Sequence, residues 1–316
     1  MNPFYWLLSI TGGVILLVLA VSFLCFRRVF YSKKRKILSP DEFEIPSGEA
    51  YLTFAEDIKK WTIEARALPH EDVSVRTPDG LTLRGKYYEY KSGAITEILF
   101  HGYRGSGERD LSAGIERCFS LGRNALIVDH RGSGRSDGHV ISFGVKEKED
   151  VLLWIDFAIE HFGKDVKIVL TGISMGAATV LMAAGKKLPE NVKSVLADCP
   201  YSSQKDIIKK VIGDMKLPAG LLYPFVKLGA LLFGGFNLDK ETPLDAMAHC
   251  TLPTIFIHGT ADSYVPSSMS EKLFKVCSHP TKKLVTIDGA AHGIAFPTDK
   301  EKYINALSDF EKEWNV

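Results

Sequence analysis

The 316-residue chain has five cysteines, at 25, 118, 199, 250 and 277, and no C-x-x-C pair. That scatter argues against a disulfide framework or a zinc ribbon and fits a reducing compartment. There is no H-E-x-x-H or comparable ligand set, so neither a metal nor any other cofactor is expected. N-x-S/T sequons are absent as well. Charge of either sign is not in excess: 39 Lys+Arg face 38 Asp+Glu, a net charge of +1. A nucleic-acid partner would normally demand a basic surplus, so none is expected. Apolar residues make up 46% and charged residues 24%, which excludes a disordered or low-complexity chain.

The most informative absence is local. No charged residue lies between Phe4 and Phe26. As a helix this run would extend about 34 Å, enough to cross the hydrocarbon core of a bilayer. Tyr5 and Trp6 suit an interfacial aromatic belt. A cleavable signal peptide would need a basic start, a shorter run and a small-residue cleavage site, and these are missing. Immediately after the run come Arg27, Arg28, Lys33, Lys34, Arg35 and Lys36, with no acidic residue before position 41. Positive flanks stay cytoplasmic, so the expected arrangement is a single-pass anchor in the cell membrane with the body of the protein in the cytoplasm.

Composition then suggests three parts: an anchor with its basic flank at 1–31, a stem at 32–70, and a catalytic domain at 71–316. The stem carries near-helical apolar spacing from Tyr51 to Leu68, which predicts one amphipathic helix. Beyond Pro69, strands alternate with helices. A hairpin is expected at 73–90, with its turn at Pro78-Asp79-Gly80. Buried strands are expected at 95–102, 124–132, 166–174, 192–200, 253–259 and 283–289. Helices fall at 108–121, 145–162, after Gly176, and at 299–315. Apolar strands alternating with helices imply an α/β fold: a mostly parallel sheet, eight-stranded by this count, with helices on both faces.

The chemistry-bearing stretch is G-I-S-M-G at 172–176, between a buried strand and an Ala-rich helix. Small residues at 172, 176 and 177 permit a sharp strand-to-helix turn that would lift the Ser174 hydroxyl above the sheet edge. A serine nucleophile needs a base, and the base needs an orienting carboxylate. His292 follows the strand at 283–288 and Asp262 follows the strand at 254–258. The order Ser174, Asp262, His292 suits a nucleophile, acid and base carried on one sheet edge. Asp198, after another strand, is the rival acid. Two N–H groups are the expected oxyanion donors: Met175, next to the nucleophile, and Tyr103, in the loop His101–Gly105. Arg104 reads as a solvated loop arginine, with an anion-binding role as the alternative. His258 and His130 read as packed, loop-shaping residues.

With these pieces in place the chain resembles the α/β-hydrolase superfamily. The matching segments are H-G-Y-R-G-S-G (101–107), D-H-R-G-S-G-R-S-D-G (129–138), F-G-x-K-E-x-x-D-V (143–151), G-I-S-M-G (172–176), H-G-T-A-D-S-Y-V-P (258–266) and G-A-A-H-G (289–293). They look most like the serine-hydrolase branch of esterases and prolyl-oligopeptidase-like enzymes, including membrane-anchored members. That resemblance implies a Ser174–Asp262–His292 triad, an oxyanion hole at Tyr103 and Met175, and a capping insertion after the sixth strand. The insertion is 201–250, whose stretch 217–236 has Lys227 as its single charge. Its prolines, glycines and lysine favour a helical lid over a second membrane span.

The function expected is hydrolysis of a carboxylic ester or thioester, EC class 3.1.1, on a small-molecule or lipid-like acyl substrate. A prolyl-oligopeptidase-like peptidase and a catalytically silent scaffold are the rivals. Composition is silent on oligomeric state and on acyl-chain preference.

Overall fold

The computed structural model describes residues 3–33, 38–39, 41–46 and 48–313; Lys34, Arg35 and Lys36 of the basic flank lie outside the described residues. The chain begins with helix α1 (Pro3–Val29) and the short α2 (Glu49–Leu52), then α3 (Ala55–Ala67). The strands are β1 (Glu71–Arg76), β2 (Thr82–Tyr88), β3 (Thr96–Phe100), β4 (Asn124–Val128), β5 (Ile168–Ile173), β6 (Val192–Asp198), β7 (Thr254–Gly259) and β8 (Lys282–Ile287). Between and after them come α4 (Gly107–Ser120), α5 (Glu147–Phe162), α6 (Met175–Ala184), α7 (Gln204–Asp214), α8 (Ala219–Gly234), α9 (Pro243–Met247), α10 (Ser268–Val276), α11 (Ala295–Thr298) and α12 (Lys300–Glu313).

The eight strands form one sheet in the order β1-β2-β4-β3-β5-β6-β7-β8. β2 pairs antiparallel with both β1 and β4, and every later pairing is parallel. The parallel part reads as apolar runs because both of its faces are covered. On β3, Ile98 and Phe100 face a core shared with Trp154 of α5 and Leu181 of α6, while Leu99 packs with Ile115 of α4 on the other side. β7 alternates the same way, with Phe256 on the first face and Ile255 and Ile257 opposite, beside Phe310 of α12. This is the period-two alternation of a strand, with both faces apolar.

The helix expected within 32–70 differs from its sequence reading. The single helix expected over 51–68 is two, α2 and α3, broken at Thr53-Phe54. The break lets α3 turn one face onto the body. There Trp61 and Ala65 are buried, and the Trp61 indole N–H donates to Glu116 of α4.

A third apolar cluster joins the root of α1, helices α7 and α8 and the body. Phe30 is fully buried, edge-on to Phe143 and to Phe236. The chain leaving α1 then pairs with the 139–141 loop: Ile141 N–H donates to Phe30 O at 2.9 Å, and Ser32 N–H to His139 O at 2.8 Å. α8 lies against α1 so closely that a Cβ on Gly229 would fall 2.4 Å from the Ser22 carbonyl oxygen. A glycine at that crossing is what allows the two backbones to touch. α8 is 16 residues long and holds Pro224; among the described residues, α1 is the one helix long and apolar enough to cross a membrane.

Candidate active site

β5 runs into α6 through Ser174, whose φ of +55° lies in the left-handed region that a side chain rarely adopts. The backbone holds it there on both sides. Ser174 N–H donates to Asp198 O at 2.8 Å, and Ser174 O accepts from Ala178 N–H at 3.0 Å. The turn is too tight for a side chain at either flanking glycine. A Cβ on Gly172 would lie 2.2 Å from Gly176, and one on Gly176 would lie 2.0 Å from Phe100 O. Such a strained residue costs about 1–3 kcal/mol and persists where the surroundings over-determine it. Met175, directly after it, opens α6, so its N–H is among those with no intrahelical partner.

Loops after β7 and β8 bring two further groups to this point. His292 Nε2 lies 2.9 Å from Ser174 Oγ, and His292 Nδ1 lies 2.7 Å from Asp262 Oδ2. A carboxylate can only accept, so the Nδ1–H donates to Asp262 and the serine hydroxyl donates to Nε2. The Asp262 side chain is fully buried, yet both oxygens are occupied. Oδ1 accepts the N–H groups of Tyr264 (2.9 Å) and Val265 (2.8 Å). Burial pushes the Asp262 carboxyl up, but hydrogen bonds from His258 and His292 more than reverse this, leaving it well below the usual carboxylate range.

His258 is a residue whose role the sequence reading understated. Its Nε2 is 2.8 Å from Val265 O and 3.2 Å from Asp262 Oδ2, both acceptors, so Nε2 carries the hydrogen. Nδ1 then accepts from the Ser270 hydroxyl at 2.6 Å. The ring is therefore fixed in one tautomer behind Asp262. The four-residue spacing from His258 to Asp262 was the one signal available in the sequence.

The rival acid, Asp198, is directed elsewhere. Its Oδ2 accepts from Tyr303 Oη at 2.8 Å, and burial raises its carboxyl above the ordinary range.

The loop carrying Tyr103 is held by two buried histidines. His130 N–H donates to His101 Nε2 at 3.0 Å, which leaves His101 Nδ1–H to donate to Gly102 O at 2.7 Å. Burial, with His101 beside it, lowers the His130 imidazole to about 3, so this ring is neutral at ordinary pH. Gly102 N–H donates to the buried Asp110 carboxylate at 3.1 Å.

The two residues after Gly102 reach α1. Tyr103 Oη donates to Val29 O at 2.6 Å, and Arg104 Nη2 donates to Arg28 O (2.8 Å) and Tyr31 O (3.0 Å). Arg104 is thus a half-buried residue that caps the last carbonyls of α1. It sits at the negative end of the helix, where the last carbonyls lack intrahelical partners.

Ser174, Met175, Tyr103 and His292 line a cleft of about 1360 Å³. Ile208 of α7, within the 201–250 insertion, lines it as well, and its other walls come from segments that motif reasoning did not assign to the site: Val21 and Leu24 of α1 and Tyr51 of α2. Among the described residues, Cys199, Asp262 and His292 are the one group with metal-ligand spacing. They do not fit a metal. The histidine nitrogens are committed to Asp262 and Ser174, and burial raises the Cys199 thiol well above its usual value.

Comparison with known proteins agrees with this architecture. A sequence model described as the alpha/beta hydrolase fold matches residues 98–227, and one described as a serine hydrolase (FSH1) matches residues 170–303. The chain belongs to the α/β-hydrolase superfamily. Within it, this α/β-hydrolase is a serine hydrolase. It is similar to the uncharacterized protein YqkD of Bacillus subtilis, 24% identical over 96% of both chains. It is also similar to protein bem46 of Schizosaccharomyces pombe, 26% identical over 90% of this chain and 88% of that one. Its fold is similar to that of the Pyrococcus furiosus esterase Pf2001, with a TM-score of 0.68 at 21% identity, covering 91% of this chain and 100% of the esterase. Mouse alpha/beta hydrolase domain-containing protein 10 shares the fold with a TM-score of 0.56 at 20% identity, over 77% and 99%. In this α/β-hydrolase the eight-stranded sheet carries the Ser174 turn on its central strand β5.

Proposed function

We propose that the protein is a membrane-anchored serine hydrolase that cleaves carboxylic ester or thioester bonds through Ser174, His292 and Asp262. The reading is carried by one observation: the hydrogen-bonded chain from Asp262 through His292 to Ser174, at 2.7 and 2.9 Å. Ser174 Oγ attacks the acyl carbonyl carbon while His292 Nε2 takes its proton. Ionised Asp262 holds the imidazole in the required tautomer and stabilises the imidazolium. The Met175 and Tyr103 N–H groups are the donors for the oxyanion, whose stabilisation is usually the largest single contribution. The intermediate collapses, His292 returns the proton to the leaving alcohol or thiol, and an acyl-enzyme remains. Water, deprotonated by His292, then releases the carboxylic acid and restores Ser174.

A fluorophosphonate probe tests this directly. It should label the wild type and leave Ser174→Ala unlabelled, and turnover of p-nitrophenyl acetate should vanish with the label. Unchanged turnover in both Asp262→Ala and His292→Ala would overturn the assignment. Faster cleavage of aminoacyl anilides than of esters would replace the esterase with a peptidase.

The anchor is residues 4–26, with the body in the cytoplasm. The argument is the length of α1 and the positive charges that follow it. In sealed vesicles of native orientation, a C-terminal tag should resist external protease until the membrane is permeabilised; digestion without permeabilisation would reverse the topology.

A further inference from the structure

Resting on the hydrolase reading above, we propose that the cleft is loaded from the bilayer, that α1 forms one wall of its acyl channel, and that the substrate is a membrane-resident acyl ester or thioester. Val21, Leu24 and Cys25 belong to the uncharged run that would lie in lipid, and all three also line the cleft that holds Ser174. The same stretch of helix therefore borders the hydrocarbon and the reaction centre.

The rim has the chemistry of a lipid-facing opening. Leu24, Met215 and Leu217 line the cleft and are 65%, 50% and 45% exposed. Large apolar side chains grouped at an open mouth mark a surface that meets an apolar partner, not water. The apolar surface continues onto the lid, where Leu221, Leu231 and Leu232 of α8 are exposed. α8 is fixed to α1 by the Gly229 crossing and by the Phe23–Phe233 ring contact at 5.1 Å. The lid and the anchor thus present one continuous apolar surface to the same layer.

Charge sets the depth. Arg28 lines the cleft and Arg27 precedes it, which places the headgroup level at the end of α1. From Arg28 back to Val21 the helix rises about 10 Å, so the channel reaches from the headgroup level into the hydrocarbon. The cleft volume of about 1360 Å³ exceeds the 300–1,000 Å³ or so of ordinary ligand pockets. The carbonyl end of the substrate meets Ser174, and its tail runs along α1 opposite Ile208 and Val211 of α7.

The test uses the full chain in phosphatidylcholine nanodiscs and two probes, ethyl and hexadecyl fluorophosphonate. Each probe forms an Oγ–P bond at the serine as fluoride leaves. Leu24→Trp and Val21→Trp narrow the channel at different depths. Each should lower the rate of hexadecyl labelling relative to ethyl labelling by about tenfold, the loss expected when a few methylenes are displaced from an apolar wall. Leu17→Trp, on the outward part of α1, should leave the ratio unchanged. Ethyl labelling reports that each variant is folded. An unchanged ratio in both channel variants would overturn the proposal while leaving the hydrolase reading intact. Failure of both probes on the wild type would sink the hydrolase reading itself, and the proposal with it. In vesicles, 4-methylumbelliferyl palmitate should turn over faster when it shares the enzyme's own bilayer than when it is supplied in separate vesicles. Equal rates would mean loading from water and would also overturn the proposal.

Discussion

Ser174, Asp262 and His292 sit where strands β5, β7 and β8 end, whereas Val21, Leu24 and Cys25 sit on a helix whose N-terminal two-thirds faces outward. The two groups meet in one cleft but are held by different physics. The first is directional: each polar atom has a partner at hydrogen-bond distance, and Asp262 alone accepts from Tyr264, Val265, His258 and His292. The second is held by apolar packing around Phe26, Phe30 and α8, with two carbonyls of the last turn tied down by Tyr103 and Arg104. Directional contacts fix positions to tenths of an ångström, which bond-making chemistry needs. Apolar packing fixes a shape and tolerates exchange of one hydrocarbon for another. Reacting groups and pocket wall should therefore fail in different ways.

The largest effect belongs to the polar side. Ser174→Ala should cut ester turnover by about ten-thousand-fold or more, with the melting temperature unchanged or raised. Ser174→Gly sharpens the contrast, because glycine accepts the left-handed backbone. It should abolish activity and stabilise the fold by about 1 kcal/mol, read by urea denaturation. A destabilised Ser174→Gly would mean that the turn is not strained.

On the apolar side, Phe30→Ala should lower stability by about 3–5 kcal/mol, the cost of emptying a fully buried aromatic site. If denaturation instead showed no change, α1 would be a tether only, and its root no part of the core.

Acid stability probes a buried carboxyl in the sheet itself. Glu97 is buried; burial raises its carboxyl, but Arg117 and Arg123 outweigh that and bring it down to about 2. In the unfolded chain it would titrate near 4.3. A depressed carboxyl stabilises the fold above its unfolded value, and that contribution disappears as pH falls through the folded value. Stability should drop by about 3 kcal/mol between roughly pH 4 and pH 2. In Glu97→Gln this particular slope should be missing, from a lower starting stability; denaturation followed across that range would show it.

His258→Gln removes one of four donors to Asp262 and should lower kcat about tenfold with little change in KM for a short ester. A change confined to KM would relocate His258 to the pocket side. The smallest effect is that of Arg104→Ala, about 1 kcal/mol, from the loss of a cation at the end of α1. A parallel rise in KM for long-chain over short-chain esters would show that the cap also sets the channel wall.

Much of the fold was legible because parallel strands covered on both faces must be apolar runs separated by turn residues. β3 and β5 through β8 fell within two residues of their expected ends, while β4 stops at Val128, four residues before the expected 132. The Ser174 turn was legible for a related reason: only glycine fits at 172 and 176, so the sequence carries the mark of the close approach. Asp262 was separable from Asp198 only by position, and it was Tyr303, 105 residues away in the chain, that turned out to hold Asp198. The break in the stem helix and the capping role of Arg104 carried no local signal, and His258 offered only its four-residue spacing to Asp262.

By itself, then, the sequence determined what repeats along the chain or is enforced locally: strand and helix periods, the glycine-bounded serine turn, and the uncharged run with its basic flank. Tertiary structure alone decided which distant surfaces share a boundary. It set the His258 tautomer, turned Asp198 away from His292, and laid the end of α1 against the Tyr103 loop. The physical reason is the range of each constraint. Periodicity and steric exclusion act over a few residues, whereas a shared cleft wall depends on how packed elements close on one another.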